Sequence, residues 1–208
     1  MTATARKKGV RAAQKEARPG EIAAAALKLF ARDGFAGTRL EEVAKRAGIS
    51  KGTIYLYFDT KEDLFKACVR ETVGTHLAET TEIAATFTGP TEELLREVVV
   101  RMASRLSQPE FRTILLLMIS EGKRFPELVN FYHAEVLSQG LAMLTKILER
   151  GVERSELRKT AVMDFPMLLM SPAIMYVIWD HLFGAHKKLD LSDVLHAHLD
   201  AMLEGIKA

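Results

Sequence analysis

Residues 37–58 read GTRLEEVAKRAGISKGTIYLYF, and this stretch decides the fold. Apolar residues recur at helical spacing in its first part, and Gly48 then breaks the pattern. Thr38 and Glu41 have the spacing of a capping box, which predicts Thr38 as the N-cap of a helix. Ser50 predicts the start of a second, short helix after a tight turn. Two short helices joined by a glycine-containing turn form a helix-turn-helix.

The second helix of this motif carries side chains that suit DNA recognition. Lys51 can donate to guanine O6 and N7, and Gly52 lets the helix end approach base edges or a thymine methyl. The hydroxyls of Tyr55 and Tyr57 and the charge of Lys61 suit phosphates, as does the start of the preceding helix. A solvated face on a helical hairpin is the alternative for the same pattern. The candidate DNA-binding residues are Thr38, Arg39, Ser50, Lys51, Gly52, Thr53, Tyr55, Tyr57 and Lys61.

The charge of the chain is distributed unevenly. Residues 1–61 hold thirteen Lys or Arg and six Asp or Glu, a net charge of +7. The remainder carries −5, although the whole chain of 208 residues carries only +2. A basic head on an acidic body indicates that the head meets a polyanion and the body does not.

Composition limits the class of protein and its compartment. With 27% charged and 48% hydrophobic residues, the sequence is that of a folded soluble protein. Cys68 is the single cysteine, so no intrachain disulfide can form and a reducing compartment is favoured. Cys68 lies in an apolar stretch, which predicts inert packing. No apolar run follows the basic N-terminus, and residues 165–179 fall short of the ~20 residues of a membrane span. The predictions are therefore cytoplasmic localisation and no membrane partner.

Helix breakers divide the chain into about nine helices, with no strand pattern, so the fold class is all-α. Pro172 lies inside the apolar segment 161–183, where it predicts a kink or a split. The expected organisation is an N-terminal three-helix DNA-binding domain with the helix-turn-helix and a C-terminal helical domain. The predicted divisions are a flexible basic arm at 1–18, the DNA-binding domain at 19–65, and the C-terminal helical domain at 66–208.

The span from Ile22 to Leu64, which includes the helix-turn-helix sequence of residues 37–58, resembles the DNA-binding domain of the TetR family. The resemblance implies that residues 66–208 form a ligand-binding and dimerisation domain. The resemblance implies that the third helix enters the major groove with Lys51, Gly52 and Tyr55 at base edges. It also implies that Thr38, Tyr57 and Lys61 hold phosphates, together with Tyr55. The residues that carry it are Ile22, Ala26, Leu29, Phe30, Gly34-Phe35, Gly37-Thr38, Val43-Ala44, Ala47-Gly48-Ile49-Ser50, Lys51-Gly52-Thr53-Ile54-Tyr55, Tyr57-Phe58, Lys61 and Leu64.

A second resemblance lies in the middle of the chain. Residues 120–128 read SEGKRFPEL and are followed by Phe131-Tyr132, which resembles a widespread subgroup with a Glu…Arg/Lys-Phe-Pro-Glu-Leu turn. It supports the family and names no ligand. If the family resemblance holds, a ligand pocket is expected in the second half, with Arg105, His133 and Ser120 as candidate polar anchors. The candidate pocket residues are Met102, Arg105, Leu106, Leu116, Ser120, Phe125, His133 and Met167.

The last two helices carry apolar stripes that predict a homodimer, because a terminal helix has few neighbours in its own chain to cover such a stripe. Packing in the monomer core is the alternative for these stripes, as it is for the methionines near residue 167. The candidate dimer residues are Tyr176, Trp179, Phe183, Leu195, Leu199 and Met202.

The sequence therefore predicts a transcriptional regulator rather than an enzyme. It is expected to be a repressor that releases a palindromic operator in double-stranded DNA when a small apolar or amphipathic molecule binds. An architectural or corepressor-type dimer with a vestigial pocket and a small helical enzyme are the alternatives. No cofactor or metal is expected, because His196 and His198 face different sides of a helix and no Cys/His cluster has ligand spacing.

Overall fold

The computed structural model describes the backbone of residues 3–208 and the side chains of residues 19–208. Over that range the chain forms nine helices and no strand, which confirms the predicted all-α class. Seven are α1 (Ala3–Gly37), α2 (Leu40–Arg46), α3 (Lys51–Ile54), α5 (Thr91–Leu106), α6 (Pro109–Glu121), α8 (Ser171–Phe183) and α9 (Leu191–Ile206). The predicted arm at residues 1–18 lies outside the residues whose side chains are described.

The other two helices each contain one π-helical turn. Helix α4 consists of Lys61–Val69, the π turn Arg70–Gly74 and Thr75–Thr86. Helix α7 consists of Pro126–Tyr132, the π turn His133–Leu137 and Ser138–Glu153. Two short 3-10 turns, Ala161–Met163 and Pro166–Met170, precede α8.

The chain packs as two compact units. The first contains residues 1–72 and 113–131, and the second contains residues 73–112 and 132–208. The first unit thus includes a segment from the middle of the chain that the predicted boundary after residue 65 does not anticipate. The assignment of DNA binding and ligand binding to separate domains stays a prediction.

The first unit is built on an aromatic cluster. Phe30, Phe35 and Phe65 are at most 1% exposed, and their ring centroids lie 5.5 to 6.1 Å apart. The ring of Phe125 meets that of Phe35 edge-on at 4.7 Å. Cys68 is fully buried, as predicted, and burial raises the pKa of its thiol. Because the thiolate is the reactive form, this cysteine is an inert packing residue.

The second unit has a leucine stripe on α9 in its core. Leu191, Leu195, Leu199 and Leu203 recur every four residues, and each is at most 5% exposed where α9 packs against α5. This burial overturns part of the dimer prediction, because Leu195 and Leu199 are each 1% exposed within a single chain. The stripe exists, but it is buried within the chain, where α9 packs against both α5 and α8, as the monomer-core alternative anticipated.

Pro172 splits the apolar segment 161–183, as predicted. It lies in the first turn of α8, where a missing N–H removes no helical hydrogen bond. Residues 166–183 are long and apolar enough by composition to cross a membrane. Because residues 166–170 form a 3-10 turn, α8 itself has 13 residues. That length reaches about 20 Å, short of a hydrocarbon core of about 30 Å.

Candidate nucleic-acid interface

Helix α3 is held in place by two apolar anchors and one cap. Ile54 and Phe58 are 0% and 7% exposed, which fixes the inner side of the helix and the turn after it. The Ser50 side-chain oxygen accepts from the Thr53 N–H at 3.1 Å, which confirms the predicted cap. The hydroxyls of Ser50 and Thr53 lie 2.8 Å apart. The side chains of Ser50 and Thr53, both candidate DNA-binding residues, therefore stabilise the N-terminal end of α3.

Lys51 and Tyr55 share one carboxylate on the helix before them. Lys51 Nζ lies 2.9 Å from Glu41 Oε1, and the Tyr55 hydroxyl donates to the same oxygen at 3.1 Å. The hydrogen bond from Lys51, followed by those from the backbone and from Tyr55, lowers the pKa of Glu41 to about 2. The carboxylate in turn raises the pKa of Lys51. Glu41, which is not among the predicted DNA-binding residues, thus orients two residues that are, Lys51 and Tyr55.

Thr38 differs from its predicted role. Its side chain is 1% exposed, and its hydroxyl donates to the Gly34 carbonyl at 2.8 Å. Helix α2 begins at Leu40 with Arg39 as its N-cap, so the capping-box assignment of Thr38 is wrong. The reason is that the helical conformation of α1 is interrupted at Gly34, and the Thr38 hydroxyl satisfies the carbonyl of that glycine instead. Arg39, next to it, is exposed.

Lys61 is engaged within the protein. Its ammonium donates to the carbonyls of Phe35, Ala36 and Thr38 at 2.5, 3.2 and 2.9 Å. The same nitrogen lies 4.5 Å from the centre of the Phe35 ring. Burial lowers the pKa of Lys61. Three internal acceptors leave this ammonium with little capacity for the phosphate contact that the family resemblance implies.

Sequence reasoning missed Glu41 and Leu56 as members of this surface. Leu56 is 84% exposed, beside Tyr55 at 41% and the half-buried Tyr57. The inward positions of Ile54 and Phe58 could have indicated that Leu56 points outward. The pairing of Glu41 with α3 depends on how two helices cross, and no local pattern encodes it.

The candidate pocket residues are distributed over both units. Leu116, Ser120 and Phe125 belong to the first unit, and the other five to the second. The Ser120 hydroxyl donates to the Leu116 carbonyl at 2.8 Å, and Arg105 lies 3.7 Å from a Glu79 oxygen. His133 Nδ1 lies 3.3 Å from the Ser138 hydroxyl. Each candidate anchor therefore has a protein partner.

One cavity of about 320 Å³ opens in the second unit, and none of the eight candidates lines it. Its walls are Pro90, Thr91, Glu92, Glu156, Leu157, Lys207 and Ala208. Among residues 19–208, no three His, Cys, Asp or Glu side chains come together as a metal site.

The surface of α8 is apolar and exposed. Met175 and Leu182 are 61% and 58% exposed, and the predicted dimer residue Phe183 is 45% exposed. Tyr176 and Trp179 are half-buried, and Trp179 Nε1 donates to the Lys187 carbonyl at 3.1 Å. Met202 on α9 is also half-buried.

An all-α fold with a helix-turn-helix, in which buried residues support a short exposed second helix, is typical of DNA-binding transcriptional regulators. Residues 22–68 match the model of bacterial regulatory proteins of the tetR family. Residues 86–185 match the model of the tetracyclin repressor-like C-terminal domain. The chain belongs to the TetR family of transcriptional regulators.

Similar proteins agree with this assignment. The HTH-type transcriptional repressor NicS of Pseudomonas putida is 27% identical over 90% of this chain and 89% of its own length. The fatty acid metabolism regulator protein of Bacillus subtilis is 28% identical over 70% of this chain and 74% of its own. The structure of FadR from Bacillus subtilis in complex with stearoyl-CoA superposes with a TM-score of 0.75 at 22% identity, covering 89% and 97% of the two chains.

Proposed function

We propose that the protein is a homodimeric repressor that binds a palindromic operator and releases it when an amphipathic small molecule binds. The observation that carries the proposal is the exposed Lys51-Gly52 start of α3, fixed from beneath by buried Ile54 and Phe58. A reading helix must present donors on a rigid support, since a misplaced donor cannot reach its base. The protein acts in the cytoplasm and is not an enzyme.

DNA recognition divides between base and phosphate contacts. Lys51 reads guanine in the major groove, and Gly52 allows close approach. Exposed Arg39 and the hydroxyls of Tyr55 and Tyr57 hold phosphates. The net charge of +7 on residues 1–61 attracts the duplex. Because Thr38 and Lys61 have internal partners, we assign them to support of the site rather than to direct contact.

Dimerisation uses the exposed face of α8. Ile174, Met175, Leu182 and Phe183 are each at least 45% exposed, a concentration of apolar surface that a second copy would cover. Tyr176, Trp179 and Met202 border this face in the proposal, and Leu195 and Leu199 are excluded from it. A two-fold dimer reads two half-sites about one helical turn, or ~34 Å, apart.

The effector class is suggested by similar proteins and by the side chains of the second half. One relative is a fatty acid metabolism regulator, and a structure of the same fold holds stearoyl-CoA. We therefore propose a fatty-acyl compound, bound near Met102, Leu106 and Met167, because methionine and leucine suit a flexible hydrocarbon chain. A ~100-fold loss of operator affinity requires a coupling free energy of ~2.7 kcal/mol between effector and DNA.

Selection of bound duplexes from a random pool tests the DNA-binding proposal. We expect an inverted repeat, and an affinity that falls steeply as salt rises because counterions are released. Recovery of no consensus, with salt-insensitive binding, would contradict the proposal and favour the helical enzyme.

A thermal-shift screen tests the effector, with acyl-CoA thioesters and free fatty acids of increasing chain length. Each compound that raises the melting temperature is then titrated against the selected operator. Compounds that stabilise the protein but leave operator affinity unchanged would favour the architectural dimer. That alternative draws some support from the protein partners already held by Arg105 and Ser120.

A further inference from the structure

The last residue of α6 binds the backbone of the DNA-binding half of the first unit. Glu121 Oε1 accepts from the Phe35 N–H at 2.6 Å, and Oε2 accepts from the Ala36 N–H at 3.0 Å. Both bonds are charge-assisted and join residues more than 80 positions apart in sequence. Glu121 belongs to the motif at residues 120–128, to which the proposed function gives no role.

The two N–H groups are available because α1 is broken just before them. Gly34 has φ +73° and ψ 173°, so the helical hydrogen-bond ladder stops there. A Cβ on Gly34 would lie 2.6 Å from Glu121 Oε1. Glycine is therefore required both for the backbone conformation and for the approach of the carboxylate.

The same short segment is held from its other side by Lys61. Its ammonium donates to the carbonyls of Phe35, Ala36 and Thr38. The ring of Phe125, four residues after Glu121, packs edge-on against that of Phe35. Residues 35–38, which we call the entry segment, thus have N–H groups fixed by a carboxylate and carbonyls fixed by an ammonium. The entry segment leads directly to Arg39, the N-cap of α2.

We propose that Glu121 is a positioning residue for DNA recognition, which sets the entry segment and through it the helix-turn-helix. The inference rests on the proposed function. Glu121 lies in residues 113–131, which pack in the first unit although they come from the middle of the chain, so the carboxylate supports the entry segment from a distant part of the sequence. Loss of this carboxylate should therefore misalign α3 with the operator bases and lower operator affinity. It should not reduce the affinity for DNA of unrelated sequence.

Glu121→Gln tests the proposal because it preserves shape and removes the charge and one acceptor. We expect operator affinity to fall about 10-fold or more, the weight of a charged hydrogen bond. Affinity for a scrambled duplex should stay within about twofold, since phosphate contacts determine it. Hydrogen exchange at the Phe35 and Ala36 amides, followed by NMR, should accelerate in the variant. Glu127→Gln, which neutralises an exposed carboxylate on α7, is the matched control and should behave as wild type.

The outcomes separate this inference from the proposed function. If wild type selects no operator, the proposed function fails. The positioning role is wrong if wild type binds its operator and Glu121→Gln binds it with equal affinity. It is also wrong if the folded variant loses affinity for the operator and for scrambled DNA to the same degree. Should the Gln variant fail to fold by circular dichroism, Glu121→Asp keeps the charge and withdraws it by one methylene. That variant must then show the same selective loss of operator affinity, or the inference is overturned.

Discussion

Lys51 Nζ lies 2.9 Å from Glu41 Oε1, so the best candidate for reading guanine is paired in the free protein with a carboxylate of the preceding helix. Tyr55 donates to that same oxygen. If Lys51 and Tyr55 face DNA as proposed, the Glu41 carboxylate beside them repels phosphate and competes for the same two donors. When Lys51 and Tyr55 leave Glu41 to bind DNA, only a DNA sequence that offers them good base contacts compensates for the lost interaction with the carboxylate. We therefore expect Glu41 to favour specific over non-specific binding.

Glu41→Gln should raise affinity for scrambled DNA by about 2- to 5-fold, the weight of an exposed ion pair. Operator affinity should rise less, so the ratio of the two should fall. The pKa of Glu41, lowered to about 2, keeps the carboxylate ionised between pH 5 and 8, and the effect should be constant over that range. Titration of both duplexes at several pH values measures it. Glu42→Gln, which makes the same charge change on the same helix, is the control. If it changes the two affinities as much as Glu41→Gln does, the effect is due to net charge and not to the pairing of Glu41 with Lys51.

Lys51→Ala and Tyr55→Ala should abolish sequence-specific binding while fold and oligomeric state persist. Both side chains lie on the exposed side of α3, and removal of either should cost ~1–3 kcal/mol of operator binding. Fluorescence anisotropy with the selected operator measures the loss, and circular dichroism checks the fold. Lys45→Ala removes the same charge at an exposed position of α2, outside the proposed reading helix, and should lose much less operator affinity. Wild-type affinity in the double variant would refute the assignment of α3 as the reader.

The local features of this protein were predictable from its sequence. Ser50 and Asp190 accept from the N–H three residues on, and Gly34 and Gly48 adopt positive φ where helices break. The split at Pro172 is equally local. Each of these depends on residues within one helical turn, where side-chain chemistry alone decides the geometry.

The features that sequence reasoning did not anticipate depend on where a helix is interrupted and on contacts across the fold. Thr38 has the spacing of a cap in the sequence, but the interruption of α1 at Gly34 gives its hydroxyl another acceptor. For Lys61 the sequence does not show the three carbonyls of residues 35, 36 and 38 that its ammonium contacts, and its contact with phosphate stays a prediction. Leu195 and Leu199 form a stripe whose cover, α5, is about 100 residues away. Periodicity identifies a buried face without identifying what buries it.

Leu182→Glu should convert the proposed dimer to a monomer at micromolar concentration. Leu182 is 58% exposed in the single chain, so a charge there leaves the monomer intact but must be desolvated in a dimer through α8. Sedimentation velocity across a concentration series measures the change. Val100→Glu, at a position 47% exposed on α5, introduces the same charge at another apolar site and should remain dimeric. A dimeric Leu182→Glu variant would exclude this part of α8 from the interface.

Lys61→Met should destabilise the first unit more than it weakens attraction to DNA. The substitution keeps the aliphatic stem and removes the ammonium that three carbonyls of the entry segment share. Hydrogen bonds to a charged group are worth about 1.5–3 kcal/mol, so chemical denaturation should show a loss of about 2 kcal/mol. Lys66→Met, on the same helix, removes only a half-exposed ammonium 3.7 Å from Asp63 and should cost much less.

The salt dependence of operator binding then decides what Lys61 does. Removing one phosphate-bound cation lowers the slope of log K against log salt by about 0.9 for duplex DNA, so removing one from each protomer would lower it by about 1.8 per dimer. An ammonium that serves only the entry segment leaves this slope unchanged, even if affinity falls because the head is misplaced. An unchanged slope with reduced stability therefore supports the internal role. A slope lowered by about 1.8 at undiminished stability would restore the phosphate contact implied by the family resemblance.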